Sequence, residues 1–257
     1  MEWLENAQRL VIITNNSCNL KCPRCDTGCD NPWGEHPWRE SPWEVNLESV
    51  RLLLDKIGEH IPVIRLHGGE TTCMSMDKLK ALIDLIASYN IPVGILTNGY
   101  NILGLGEHLE KLDHIVINGH GINEIWLDEI EPILRKLENP KIYRLGRYDY
   151  YDMHSVMHNS PKTRETCVLY KKIVGFYKDT LHPCCGPYYC HEDVGKDMIG
   201  WNVYDEDFVE TVKSLDNLPK RFWDICYDMC AFNATEQPTI DIREGVRGSP
   251  SYQWEER

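Results

Sequence analysis

Leu10-Val11-Ile12-Ile13-Thr14-Asn15-Asn16-Ser17-Cys18-Asn19-Leu20-Lys21-Cys22-Pro23-Arg24-Cys25 sets the fold and the chemistry together. Its first four residues form an apolar, β-branched run, as a strand of a parallel sheet buried on both faces does. Three cysteines follow at C-x3-C-x2-C spacing on the loop that the strand feeds. Outward from this stretch, strand-like and helix-like segments alternate. Residues 45–59 carry Val50, Leu53, Leu54 and Ile57 at helical spacing, and Pro62–Leu66 reads as a second strand stopped by Gly68-Gly69. Residues 75–89 are an amphipathic helix, followed by a strand at Ile91–Leu96 that ends in Thr97-Asn98-Gly99. A short helix near 103–112, a strand at His114–Ile117 stopped by Asn118-Gly119, a helix over 122–137 and a fifth strand at Lys141–Leu145 complete the pattern. Repeated strand-helix units predict an α/β fold with a parallel sheet, whose chemistry lies at the carboxyl ends of the strands.

The alternation stops after residue 147, so the sheet is expected to hold five or so parallel strands and not the eight of a full barrel. Residues 1–150 form the expected first domain. Cysteines and aromatics dominate from Cys167 onward, which predicts a small second domain over 151–243 and a flexible tail over 244–257 rich in Gly, Ser and charge.

Composition narrows the function classes. Among 257 residues, 40 acidic and 27 basic side chains give a formal charge of −13, which disfavours nucleic acid and anionic membranes as partners. Hydrophobic residues at 42% suffice for a packed core. The start, Met1-Glu2-Trp3-Leu4-Glu5, lacks a basic region followed by an apolar run, and no stretch of about 18 apolar residues occurs. Eleven cysteines with no export signal point to metal or redox chemistry in a cytoplasmic setting, not to disulfides.

Three thiolates within eight residues can converge on one metal centre, and three ligands leave one iron of a four-iron cluster open to a small molecule. A zinc site completed by Cys29 or a histidine is the competing reading. Gly68-Gly69-Glu70, Asn98-Gly99 and Asn118-Gly119 read equally as turns that need positive φ and as ligand-facing groups.

With Cys18, Cys22 and Cys25 after strand one, Gly68-Gly69-Glu70 after strand two, Thr97-Asn98-Gly99 after strand three and Asn118-Gly119 after strand four, residues 8–145 resemble the radical S-adenosylmethionine enzymes. The resemblance implies a partial (β/α) barrel of about five to six parallel strands. It further implies a 4Fe–4S cluster on the three cysteines, whose fourth iron chelates S-adenosylmethionine. Gly68 and Gly69 would meet the methionine amine by backbone groups and Glu70 by its carboxylate, with Asn98 and Asn118 as further cofactor-binding candidates. Arg24 stands where the family usually has an aromatic residue near the adenine, and a guanidinium can stack on a base.

The later cysteines, Cys167, Cys184-Cys185, Cys190 and Cys226-x3-Cys230, resemble the twitch or SPASM-type extension of some members of that family. Carried across, Cys167, Cys184, Cys226 and Cys230 would ligate one auxiliary 4Fe–4S cluster, with Cys185 and Cys190 as alternatives and a structural zinc site as the competing reading. A hydrogen-atom donor role falls to Cys29 or Cys73, and a substrate-contact role to Arg144 or Arg147 at or beyond the end of strand five.

The implied activity is reductive cleavage of S-adenosylmethionine to a 5′-deoxyadenosyl radical, which abstracts a substrate hydrogen atom. A flavodoxin- or ferredoxin-type donor supplies the electron. Length and layout resemble an aminocyclitol dehydrogenase of the family, which implies oxidation of a small polar metabolite with the auxiliary cluster as electron acceptor. The alternatives are a peptide maturase forming thioethers or epimers, a deazaguanine-type ring-contracting enzyme suggested by Cys25-Asp26-Thr27, and a non-enzymatic zinc-binding module.

Overall fold

The computed structural model describes residues 1–20, 43–119, 123–145, 172–184 and 200–214. Its framework is one eight-stranded sheet flanked by helices. In chain order the elements are α1 (Glu2–Glu5), β1 (Arg9–Ile13), α2 (Leu47–Ile57), β2 (Ile64–His67), α3 (Met76–Ser88), β3 (Val93–Thr97), β4 (His114–Asn118), α4 (Glu124–Leu134) and β5 (Lys141–Leu145). A hairpin of β6 (Ile173–Tyr177) and β7 (Thr180–His182) follows, then β8 (Trp201–Asn202) and α5 (Phe208–Lys213). The order across the sheet is β5-β4-β3-β2-β1-β6-β7-β8. The pairings from β5 through β6 are parallel, and β7 and β8 add antiparallel strands.

Six parallel strands therefore agree with the expectation, but the sixth is not the continuation of β5. Ile173–Tyr177 attaches to the opposite edge, pairing Leu10 with Val174 and Ile12 with Phe176. The reason is visible in β1 itself. Leu10 through Ile13 are all buried, so this strand is an interior one that needs a neighbour on each side. The β6–β7 hairpin, which falls in the span expected to form a second domain, thus extends the main sheet; the boundary near residue 150 lies outside the described residues.

Strand alternation sorts the side chains onto two faces. Leu10, Ile12, Ile64, Leu66, Ile95, Ile115 and Ile117 share one apolar face and belong to one core with Leu53, Leu54, Leu79, Leu82, Ile83 and Ile86 of the helices. The other face carries Arg65, His67, Gly94, His114 and Asn118 at register positions beside one another. Gly94 is required there, because a Cβ would lie 2.1 Å from the His114 ring. His114 Nε2 stands 3.4 Å from Arg65 Nη2. Burial, Arg65 and Arg9 push His114 down to about 4, and burial and Arg65 do the same for His67. Both rings are neutral at pH 7.

The expected helix near 103–112 is a 3-10 segment, Ile102–Lys111, interrupted at Gly106 with φ 58°. The segment 200–214 is fastened to the back of α1 and α2. Trp3 Nε1 donates to the Val212 carbonyl at 2.8 Å, and Lys56 Nζ donates to the Val203 carbonyl at 2.8 Å while lying 5.2 Å from the centre of the Phe208 ring.

Candidate cofactor site

At the carboxyl ends of β1, β2 and β3, three turns are joined into one hydrogen-bonded block. Thr14 N–H and its hydroxyl both donate to the His67 carbonyl, at 2.6 and 3.0 Å, which carries the β1–β2 pairing past the strand ends. Asn15 then holds the second turn from both its backbone and its side chain. Its carbonyl accepts from Gly69 N–H at 2.9 Å, and its Nδ2 donates to the Glu70 carbonyl at 3.0 Å. Glu70 N–H donates to the Ser17 carbonyl at 2.7 Å, and Asn15 Oδ1 closes its own loop by accepting from Ser17 N–H at 2.8 Å. Gly68 sits at φ 153°, and a Cβ on it would lie 2.6 Å from the Asn15 carbonyl oxygen. Only glycine permits this approach of the two turns.

Glu70 links this pair to the third turn. Its side chain is buried, and its carboxylate accepts four hydrogen bonds: from Thr72 N–H at 3.1 Å, Thr72 Oγ1 at 2.7 Å, Thr97 Oγ1 at 2.6 Å and Asn98 N–H at 2.6 Å. Burial raises the pKa of its carboxyl group against the pull of those donors. Its carboxylate is thus turned into the protein, toward β3.

Asn98 meets the cysteine loop directly. Its Nδ2 donates to Asn19 Oδ1 at 2.9 Å and reaches Cys18 Sγ at 3.8 Å, and Leu20 N–H lies 3.4 Å from the same sulfur. The Asn98 carbonyl accepts from Asn123 Nδ2 at 2.8 Å and Trp126 Nε1 at 3.0 Å, and Asn123 Nδ2 also donates to the Asn118 carbonyl at 2.8 Å. The fourth strand end is thereby joined to the other three. Asn118 Oδ1 is buried there with no hydrogen-bond partner among the described residues, which suits a bound polar ligand.

Cys73 closes the short 3-10 turn Thr71–Cys73 behind Glu70. Burial and the neighbouring Glu70 charge push its thiol up to about 11, against an opposing hydrogen bond from the Asn19 backbone. It remains a protonated thiol at neutral pH. Arg144, expected as a substrate contact, lies on the helix side of β5. It pairs there with Glu124, with Asp128 at 3.2 Å and with Glu131 at 2.6 Å, which ties β5 to α4.

The structure therefore brings Cys18, Gly68, Gly69, Glu70, Asn98 and Asn118 to one end of the sheet. Cys184 is buried just beyond β7, and Cys18, Cys73 and Cys184 are in no disulfide. Cys22, Arg24, Cys25, Cys29, Arg147, Cys167, Cys185, Cys190, Cys226 and Cys230 lie outside the described residues. Asn15, Asn19, Thr72, Asn123 and Trp126 were not legible as site residues. Asn15 and Thr72 stand beside the motifs, but nothing in their spacing says which partner each side chain chooses.

Residues 12–145, a span of 134 out of 257, match the family described as the Radical SAM superfamily. The chain belongs to the radical SAM superfamily. Membership implies S-adenosylmethionine and a 4Fe–4S cluster, and the described residues fit both: a cysteine sulfur facing N–H donors, and a buried oxygen left for a ligand. No curated protein matches the sequence. Among solved structures, Streptococcus suis SuiB bound to its precursor peptide SuiA is similar at TM-score 0.51 and 13% identity, over 82% of this chain and 65% of that one. SuiB bound to S-adenosylmethionine gives TM-score 0.52 and 14% identity, over 83% and 67%. The radical SAM chain spans about two thirds of SuiB's length. A hexahistidine-tagged anSMEcpe with bound AdoMet matches at TM-score 0.39 and 16% identity, over 53% and 42%. Among the described residues no helix is long and apolar enough to cross a membrane.

Proposed function

We propose that this radical SAM protein oxidises a small polar metabolite, starting with removal of a hydrogen atom from an unactivated C–H bond. Cys18, Cys22 and Cys25 would hold the 4Fe–4S cluster, and Cys167, Cys184, Cys226 and Cys230 would hold an auxiliary one able to serve as electron acceptor. When bound, the first cluster would supply one-electron chemistry for reductive cleavage of S-adenosylmethionine, with a flavodoxin- or ferredoxin-type donor as the electron source. The chain's own groups bind, orient and exclude water. Gly68 and Gly69 offer backbone atoms to the methionine end, and Glu70 fixes the turn that presents them. Asn98 and Asn118 line the cofactor, with Arg24 against the adenine. Cys73 keeps a protonated thiol near the cysteine loop; a hydrogen atom from it would restore the C–H bond, which is the chemistry of the epimerising peptide reading and not of the oxidation, and Cys29 and Arg147 are the further candidates for contact with the reacting groups.

The observation that carries this reading is the union of three turns: the Glu70 carboxylate joins the Gly68-Gly69-Glu70 turn to the Thr97-Asn98-Gly99 turn, and the Glu70 backbone and the Asn98 amide join both to the Cys18 loop. A second reading, a peptide maturase, is favoured by the similarity to the peptide-bound SuiB structure.

Anaerobic reconstitution tests the assignment. Wild-type protein is expected to hold about eight irons, two four-iron clusters. Cys18→Ala/Cys22→Ala/Cys25→Ala is expected to keep about four of them and lose 5′-deoxyadenosine formation entirely. Stoichiometric zinc without iron, or cofactor cleavage retained in the triple variant, would overturn it. Cys226→Ala/Cys230→Ala should remove the other four irons only, and product analysis with small polyols against short peptides separates the two substrate readings.

A further inference from the structure

Asn98 is clamped at every polar atom. Its N–H donates to Glu70 Oε2 at 2.6 Å, and its carbonyl accepts from Asn123 and Trp126. Its Oδ1 accepts from Tyr100 N–H at 3.0 Å. Because a backbone N–H can only donate, the oxygen of the amide must face Tyr100, and the NH₂ end must face the opposite way. That direction holds Asn19 Oδ1 at 2.9 Å and Cys18 Sγ at 3.8 Å. Asn98 is 5% exposed, so solvent does not compete for the amide. The Cys18 sulfur consequently faces two N–H dipoles, one from Asn98 and one from Leu20 at 3.4 Å.

An iron-bound thiolate carries more negative charge when its cluster is reduced. N–H donors aimed at the sulfur stabilise that state more than the oxidised one, so they raise the reduction potential. We propose that Asn98 is a positioning residue that sets the reduction potential of the cluster held at Cys18, through its amide N–H on the sulfur. The proposal rests on Cys18 being a cluster ligand, and deepens that reading by assigning Asn98 to the electron-transfer step. In that step one electron enters the cluster from an external reductant and no bond is made or broken. Asn98 tunes where the cluster sits relative to that reductant. The hydrogen bond from Asn98 N–H to Glu70 makes the same residue the link between the Gly-Gly-Glu turn and the cluster.

The test is a potentiometric titration of the anaerobically reconstituted full-length protein with dithionite, without S-adenosylmethionine. It is followed by electron paramagnetic resonance of the signal that Cys18→Ala abolishes. Asn98→Ala removes the donor. Asn98→Asp keeps the shape and the oxygen that faces Tyr100 but replaces the donor with a negative charge. The potential is expected to fall in both, further in Asn98→Asp, with a change of about tenfold in the reduced-to-oxidised ratio for Asn98→Ala, or about 59 mV for a one-electron couple. Asn19→Ala leaves Asn98 in place and removes the acceptor that steers its amide, so a smaller fall of the same sign is expected. An unchanged or raised potential in the Asn98 variants at wild-type iron content overturns the proposal. Should those variants take up no iron, an unchanged potential in Asn19→Ala does so. Wild-type protein that binds no iron overturns instead the reading on which the proposal rests.

Discussion

The rim formed by the ends of β1 to β4 and the flank formed by β6 to β8 with α5 are held to the same strand by opposite means. At the rim nearly every contact is a directed hydrogen bond, several of them to one buried carboxylate, Glu70. On the flank, Val174, Phe176, Leu181, Val203, Phe208 and Val212 are buried in the common core. Beyond the backbone pairing of β6 with β1, the side-chain polar contacts of this flank with α1, α2 and the α2 cap among the described residues are Trp3 to Val212, Lys56 to Val203 and Asp205, and Asn46 to Tyr204. Apolar burial is strong but non-directional, whereas a satisfied polar network fixes geometry with modest net stabilisation. The flank thus supplies stability, and the rim supplies the placement that a cofactor needs.

The strongest challenge to this contrast is Phe208→Ala. Phe208 is fully buried, so the change is expected to cost about 3–5 kcal/mol in chemical unfolding. Affinity for S-adenosylmethionine in the folded fraction is expected to stay at the wild-type value, measured by calorimetry on the reconstituted protein. A proportionate loss of affinity would show that the flank also places the site. Glu70→Gln sharpens the contrast from the other side. The amide presents an NH₂ end to hydroxyl and N–H donors and leaves part of the set unmatched, a cost of about 1–3 kcal/mol. Cofactor affinity is expected to fall by far more than stability does, and equal losses would refute the division of labour.

A separate test concerns acid. His67 and His114 have folded values near 4, below the ordinary value of 6.5. A basic group whose value is depressed in the folded state is protonated first in the unfolded chain. Its neutral form supports folding above about 6.5, and that support is lost as pH falls toward 4. Each histidine should add a slope of about 1.4 kcal/mol per pH unit across that window, measured as the urea midpoint against pH. Changing His114 to Asn should remove its share of the slope.

Much of this was legible without coordinates because it is local. The strand runs, the helix periodicity and the turn chemistry of Gly68-Gly69, Asn98-Gly99 and Asn118-Gly119 depend on neighbours a few residues away, and the structure has strands and turns at those places. What was not legible depends on which side chain meets which across long separations. Arg144 looked available near the end of the fifth strand, yet its register beside Ile117 points it to the helix side, where carboxylates of α4 take it up. Asn15 and Asn19 read as ordinary loop residues until the turn after β2 and the turn after β3 were placed against them.

By itself the sequence determined that this is an α/β chain with a cysteine triplet on the first strand's exit, because periodicity and ligand spacing are written in contiguous residues. The tertiary structure decided two things. It put Ile173–Tyr177 beside β1, because an interior strand buried on both faces must find a second partner, however distant in the chain. It also turned the Glu70 carboxylate inward, because four donors from Thr72, Thr97 and Asn98 converge on it once β2 and β3 pair.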